Sequence, residues 1–148
     1  FDMDGVLADF DLAYRQAMGV PVAEFNKLPY AKKDKIKEDI FTYDYFRNMQ
    51  PIQKGLELLK FYQDHYETVV ILSATSDTSH KEEVERAKRE WLQQHVGDIP
   101  AYFSERAEFK YHTMKFFPSF TSHILIDDRL KSLEPWIENG GVGILFKE

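Results

Sequence analysis

The 148-residue chain contains no cysteine, which removes disulfides, thiolate zinc sites and cysteine nucleophiles together. That absence fits a reducing compartment, and a cytoplasmic location is expected. No apolar run approaches the roughly 18–20 residues needed to cross a bilayer, so no membrane association is expected. Positive charge is also short: 19 Lys and Arg face 25 Asp and Glu, for a net charge of −6. The deficit argues against a broad duplex-nucleic-acid surface, which needs clustered basic residues, but leaves room for a small phosphorylated ligand. The opening Phe1-Asp2-Met3-Asp4 carries two carboxylates where a signal peptide would carry positive charge. His65, His80, His95, His112 and His123 show no His-x-x-x-His spacing and are assigned no metal. Internal repeats and low-complexity segments are absent, and oligomeric state is silent.

What remains is a globular composition, 43% hydrophobic with 12 Phe, 8 Tyr and 2 Trp, at a length that suits one domain with a real core. Three apolar runs without polar alternation read as strands buried on both faces: residues 68–72, 123–126 and 142–146. Residues 101–103 form a weaker fourth. Helical spacing links Ile52, Leu56, Leu59 and Tyr66, and again Val84, Ala87, Trp91, Leu92 and His95 over 81–95, with Gly97 as a stop. Leu133, Trp136 and Ile137 mark a third helix, with Ser132 as N-cap, Pro135 in its first turn and Gly140-Gly141 as terminator. Alternating strands and helices imply an α/β fold: a Rossmann-like, mostly parallel sheet with helices on both faces.

Residues 12–50 show no strand pattern. They are expected to form a small helical cap insert in a single domain, with residues 1–11 and 51–148 as its core. The charged run Lys32–Asp39 reads as a solvated helix face because its signs are mixed. Trp91 and Trp136 read as core anchors. An ordinary strand needs about five residues, and Phe1 alone precedes Asp2, so further residues are expected upstream.

Open parallel sheets bind ligands at the carboxyl ends of their strands. Asp2 and Asp4 would follow the first strand, Ser73 the strand at 68–72, and Asp127, Asp128 and Arg129 the strand at 123–126. Two like charges 4 Å apart cost about 4 kcal/mol at an effective dielectric near 20. A hard divalent cation relieves such a cluster, and an all-oxygen set points to Mg²⁺. In Asp2-Met3-Asp4-Gly5 the two carboxylates point the same way if the segment is extended, and Gly5 permits a sharp turn. One carboxylate can then attack phosphorus while the other handles the proton of the leaving oxygen.

Asp2-Met3-Asp4-Gly5-Val6-Leu7-Ala8-Asp9-Phe10 resembles the first motif of the haloacid dehalogenase-like phosphohydrolases, in particular their 5′-deoxyribonucleotidase branch. Val70-Ile71-Leu72-Ser73 is similar to the second motif and Ile124–Arg129 to the fourth, so the ordered set spans nearly the whole chain. The resemblance implies Asp2 as nucleophile and Asp4 as general acid and then base, with its backbone carbonyl on the metal. Asp127 would complete a Mg²⁺ site with Asp2 and Asp4, and Asp128 would stand beside it or one layer behind. Ser73 and Ala74 would hold the phosphoryl oxygens, and Phe10, with Tyr45 and Phe46 of the insert, would pack a base. Read from the residues alone, Tyr45 and Phe46 suit core packing better, and Arg129 either contacts substrate or only balances the acids. The third motif is a single lysine, for which Lys110 is favoured and Lys115 is the alternative.

The implied activity is a Mg²⁺-dependent phosphomonoesterase acting on nucleoside 5′-monophosphates through an aspartyl-phosphate. A sugar or other small-metabolite phosphatase, or a polynucleotide-end phosphatase, is the alternative within the same family. Less favoured are a binding-only relic and a receiver-type signalling domain, whose acidic pair lies near the first strand.

Overall fold

A computed structural model describes residues 1–119 and 122–148. In chain order the elements are α1 (Phe10–Met18), α2 (Val22–Asn26), α3 (Tyr30–Asp39), α4 (Tyr43–Arg47), α5 (Gln53–His65), β1 (Ile71–Ala74), α6 (Lys81–His95), β2 (Ala101–Ser104), a 3-10 helix (Ala107–Phe116), β3 (Ile124–Asp127), α7 (Leu130–Glu138) and β4 (Val142–Leu145). The class is mixed α/β. Strand β1 pairs in parallel with β2, Ile71 opposite Ala101, and β3 with β4, Ile124 opposite Val142.

The continuous sheet read from the sequence is therefore not what the described residues form. They form two parallel pairs, and the chain start hydrogen-bonds to both. The Phe1 amine donates to Val70 O at 2.9 Å, Leu72 N to Phe1 O at 2.7 Å, and Asp2 N to Ile126 O at 2.8 Å. No ladder continues beyond Asp2 because the chain turns at once: Leu7 N and Ala8 N both donate to Met3 O, at 2.8 and 3.0 Å. Gly5 makes that turn possible with φ +80°, and a Cβ there would lie 2.1 Å from Asp128 Oδ2. Gly55 of α5 likewise lets that helix lie against the turn, since a Cβ would stand 1.7 Å from Val6 O.

Strand limits shift from the apolar runs because a ladder begins where its partner begins. Ile71 N bonds Pro100 O at 2.8 Å, so β1 starts at Ile71 and carries Ser73 and Ala74 inside it rather than after it. Strand β3 similarly takes in Asp127. β4 also departs from the doubly buried reading: as an edge it leaves Val142, Ile144 and Leu145 exposed, while Phe146 is buried.

Helix α6 spans the residues its spacing predicts, burying Val84, Ala87, Lys88, Trp91 and Leu92, and Gly97 (φ +95°) closes it by donating to Leu92 O at 2.9 Å. In α7 the expected cap fails. The helix begins at Leu130 with Arg129 at the N-cap, so Ser132 lies buried inside it and Pro135 falls mid-helix, where it forfeits one backbone bond. Trp91 and Trp136 are buried as anchors, their indole N–H groups donating to Met49 O (2.8 Å) and His123 O (3.1 Å).

Residues 10–47 hold α1–α4 and no strand. Helix α3, with Lys32–Asp39, has no buried residue, as a solvated face requires. Tyr14, Phe41, Phe46 and Met49 share one buried apolar cluster with Met3, Leu7, Ile71 and Trp91, so this segment and the sheet side bury their faces together. The chain enters and leaves the helical segment side by side, Asp9 N bonding Gln50 O at 2.7 Å and Ile52 N bonding Leu7 O at 2.7 Å. No helix among the described residues is long and apolar enough to cross a membrane.

Candidate functional site

Asp2, Asp4, Ser73 and Asp127 converge where the start of the chain meets β1 and β3. Two buried lysines organise them. Lys110, from the 3-10 helix, reaches Asp2 Oδ1 and Asp127 Oδ2, each at 2.7 Å. Lys88, from α6, reaches Asp4 Oδ2 at 2.6 Å, Ser73 Oγ at 2.9 Å and Ala74 O at 2.7 Å. Lys115, the alternative to Lys110, is exposed at the end of the 3-10 helix and makes no ion pair with these carboxylates.

Burial opposes the Lys110 ammonium, but Asp2 and Asp127 outweigh it and hold its pKa above the ordinary lysine value. For Asp127 burial and the neighbouring Asp2 charge win over Lys110 and push its carboxyl up. Burial likewise raises Asp4, with Asp2 adding to it and Lys88 opposing. Asp128 is exposed, and its carboxyl stands against Gly5. Desolvation there, with the charges of Asp2 and Asp127, pushes it up to about 8.

One carboxylate oxygen each from Asp2, Asp127 and Asp128 lie within 4.8 Å of one another. Oxygens around Mg²⁺ at about 2.0–2.1 Å stand roughly 3 to 4 Å apart, and the donors are hard oxygens, so this trio can hold that ion. The Asp4 carboxylate is outside the trio and turned to Lys88, whereas Asp128 is within it. Oδ1 of Asp4 is buried and has no hydrogen-bond partner among the described residues. A buried, unpaired acceptor is costly, which suits an atom that meets a ligand.

Around this centre Ser73 is fully buried, and Arg129 uses its backbone N–H on Asp127 Oδ1 (2.9 Å) while its side chain is exposed. Phe10 and Tyr45 are half-buried and Phe46 is buried, with ring centroids of Phe10 and Tyr45 5.4 Å apart and the Tyr45 hydroxyl donating to Phe10 O at 3.1 Å. Burial, and next the Asp4 charge, raises the Tyr45 phenol above its ordinary pKa, and the aromatic residues reach the carboxylates through Phe46, whose ring centroid lies 4.6 Å from the Lys88 Nζ that bonds Asp4. A cavity of about 590 Å³ lies elsewhere, lined by Phe1, Tyr62, Val70, Ile124 and Trp136 and by none of the clustered acids.

Lys88 is the residue that sequence reasoning missed. Its signal was present: between Val84 and Ala87 on one side and Trp91 and Leu92 on the other, position 88 falls on the buried stripe of α6. A lysine there must meet a carboxylate or lose its charge. No protein-family model matches the chain, and no curated protein matches it.

Proposed function

We propose that the chain is a Mg²⁺-dependent phosphomonoesterase for small phosphorylated metabolites, nucleoside 5′-monophosphates first among them. The reading takes the core as one Rossmann-like domain of a cytoplasmic enzyme, with the helical segment as its cap, and rests on the resemblance to haloacid dehalogenase-like phosphohydrolases. The observation that carries it is the joint placement of Asp2, Asp127 and Asp128 as an oxygen trio beside two buried lysines, with Asp4 offering one unpaired oxygen.

In this mechanism Oδ of Asp2 attacks phosphorus, the bond from phosphorus to the ester oxygen breaks, and Asp4 gives its proton to the departing alkoxide. Water then attacks the aspartyl-phosphate while Asp4 takes one of its protons. The bond between phosphorus and the Asp2 oxygen breaks, releasing inorganic phosphate and restoring both acids. Lys110 holds Asp2 in place, and Ser73 supplies a hydroxyl for phosphoryl oxygens. Asp2, Asp127 and Asp128 would hold Mg²⁺, and the chemistry it would supply there is neutralisation of the gathered negative charge. Phe10 and Tyr45 offer apolar faces on which a base can pack.

The test is phosphate release from ribo- and deoxyribonucleoside 5′-monophosphates, with sugar phosphates and a 5′-phosphorylated oligonucleotide alongside, in Mg²⁺ and in EDTA. Metal-dependent release from nucleotides supports the reading. Release from sugar phosphates or the oligonucleotide instead keeps the chemistry and replaces the substrate, and no release from any of them overturns the proposal.

A further inference from the structure

The two buried lysines are compensated differently. Lys110 has two carboxylates, whereas Lys88, also fully buried, has one carboxylate and two neutral oxygens. All three Lys88 N–H groups are used by Asp4 Oδ2, Ser73 Oγ and Ala74 O. The flank of its ammonium is covered by the Phe46 ring, whose centroid lies 4.6 Å from Nζ. An aromatic face attracts a cation electrostatically, and most strongly where both are out of water, as here.

Phe46 is held over Lys88 by neighbours on both sides of it. In α4, the Tyr43 hydroxyl donates to Glu90 and the Arg86 guanidinium lies 4.6 Å over the Tyr43 ring. One turn on, Arg47 Nη1 donates to Gln94 Oε1 at 2.7 Å. Glu90, Arg86 and Gln94 all belong to α6, the helix that carries Lys88. The contact therefore passes from the helical segment into the carboxylate cluster: α4 to Phe46, Phe46 to Lys88, Lys88 to Asp4.

We infer that Phe46 is a positioning residue, which through the Lys88 ammonium fixes the Asp4 carboxylate by Oδ2 so that Oδ1 faces the reacting ester. The inference rests on the proposed phosphatase reading, in which Asp4 protonates the leaving oxygen. Its consequence is that Phe46 acts on the proton-transfer step and need not touch a base.

The test replaces Phe46 by phenylalanines carrying one, two and three ring fluorines, which keep the ring's shape while weakening its face, with Phe46→Leu as the aliphatic control. The ratio kcat/KM, which reports the steps up to departure of the leaving group and not the later attack of water, is compared on a nucleoside 5′-monophosphate, whose alkoxide needs a proton, and on p-nitrophenyl phosphate, whose leaving group does not. The expected result is a stepwise fall in kcat/KM on the nucleotide with each fluorine, reaching about tenfold, with Phe46→Leu at the bottom and kcat/KM on p-nitrophenyl phosphate nearly unchanged. Equal losses on both substrates, or no loss on either, would overturn the inference. Wild-type protein that hydrolyses neither substrate would instead remove the phosphatase reading beneath it.

Discussion

The Lys110 half and the Lys88 half of the cluster solve one problem with different means. Each buries an ammonium beside an aspartate. Around Lys110 carboxyl groups outnumber the single ammonium, since Asp2 and Asp127 are joined by Asp128, and the arrangement is built from the chain start, the 3-10 helix and β3 with the residue that follows it. Around Lys88 the charges balance one to one, and the remaining compensation comes from a hydroxyl, a carbonyl and the Phe46 ring. The first half has a use for an added cation and the second does not. Only the second draws on the helical segment, so in the proposed mechanism the two halves would divide charge binding from proton handling.

The largest expected effect is on chemistry. Asp2→Asn replaces a carboxylate by a poor nucleophile of the same shape, and activity in a phosphate-release assay should fall at least about 10³-fold with the fold retained. Activity near wild type would put the nucleophile elsewhere.

Next come the lysines themselves. Removing one partner of a buried ion pair costs about 3–5 kcal/mol, so Lys110→Met and Lys88→Met should both lower denaturant stability by about that much. The halves separate on adding Mg²⁺, which should restore much of the loss in Lys110→Met, where the acids are in excess, and little in Lys88→Met. Equal rescue of the two would erase the distinction.

A smaller effect follows from the raised pKa values. Asp128 ionises near 8 in the folded chain and near 3.8 when unfolded, so the folded state binds more protons between those values. The stability its neutral form contributes is complete below about 3.8 and is lost as pH rises toward 8; Asp4 and Asp127 act in the same direction. Asp11, Glu38, Glu105 and Glu108, whose pKa values are lowered, are ionised in both states above about pH 5 and do not oppose the trend there, whereas the Phe1 amine, lowered to about 6, and His95, also lowered, bind more protons when unfolded and oppose it. From about pH 5 to 8 the Tm of metal-free protein should therefore drop relative to that of Asp128→Asn, and added Mg²⁺ should raise Tm more at pH 8 than at pH 5. A slope unchanged by Asp128→Asn would assign the dependence to other groups.

The smallest effect expected is for Lys115→Ala, which touches an exposed side chain and should leave activity unchanged and stability within about 0.5 kcal/mol. Loss of activity there, with Lys110→Ala active, would exchange the roles assigned to the two residues.

What could be read in advance follows how local each cause is. Helix α6 was legible to the residue, because its apolar stripe and Gly97 both act within the segment. The strand limits were not, since β1 is bounded by Pro100 and by Ala101, where β2 begins, rather than by its own apolar run. Ser132 seemed a cap from its residue type, but α7 starts two residues earlier at Leu130, and the hydroxyl ends up buried. The acids were legible from spacing at strand ends. Lys88 was legible as a lysine on the buried stripe of α6, but its partner was not, because Asp4 lies 84 residues away along the chain. Phe46 kept both of its readings until the ammonium beneath its ring was known.

The central claim is that Asp2 carries the phosphoryl group during turnover. Protein turning over p-nitrophenyl phosphate in Mg²⁺ would be quenched in acid within milliseconds and its peptides weighed by mass spectrometry. The account predicts a phosphorylated peptide containing Asp2, absent without substrate and absent in Asp2→Asn. Steady turnover with phosphate on another side chain, or with no phosphorylated peptide when the same quench traps a known aspartyl-phosphate, would contradict it.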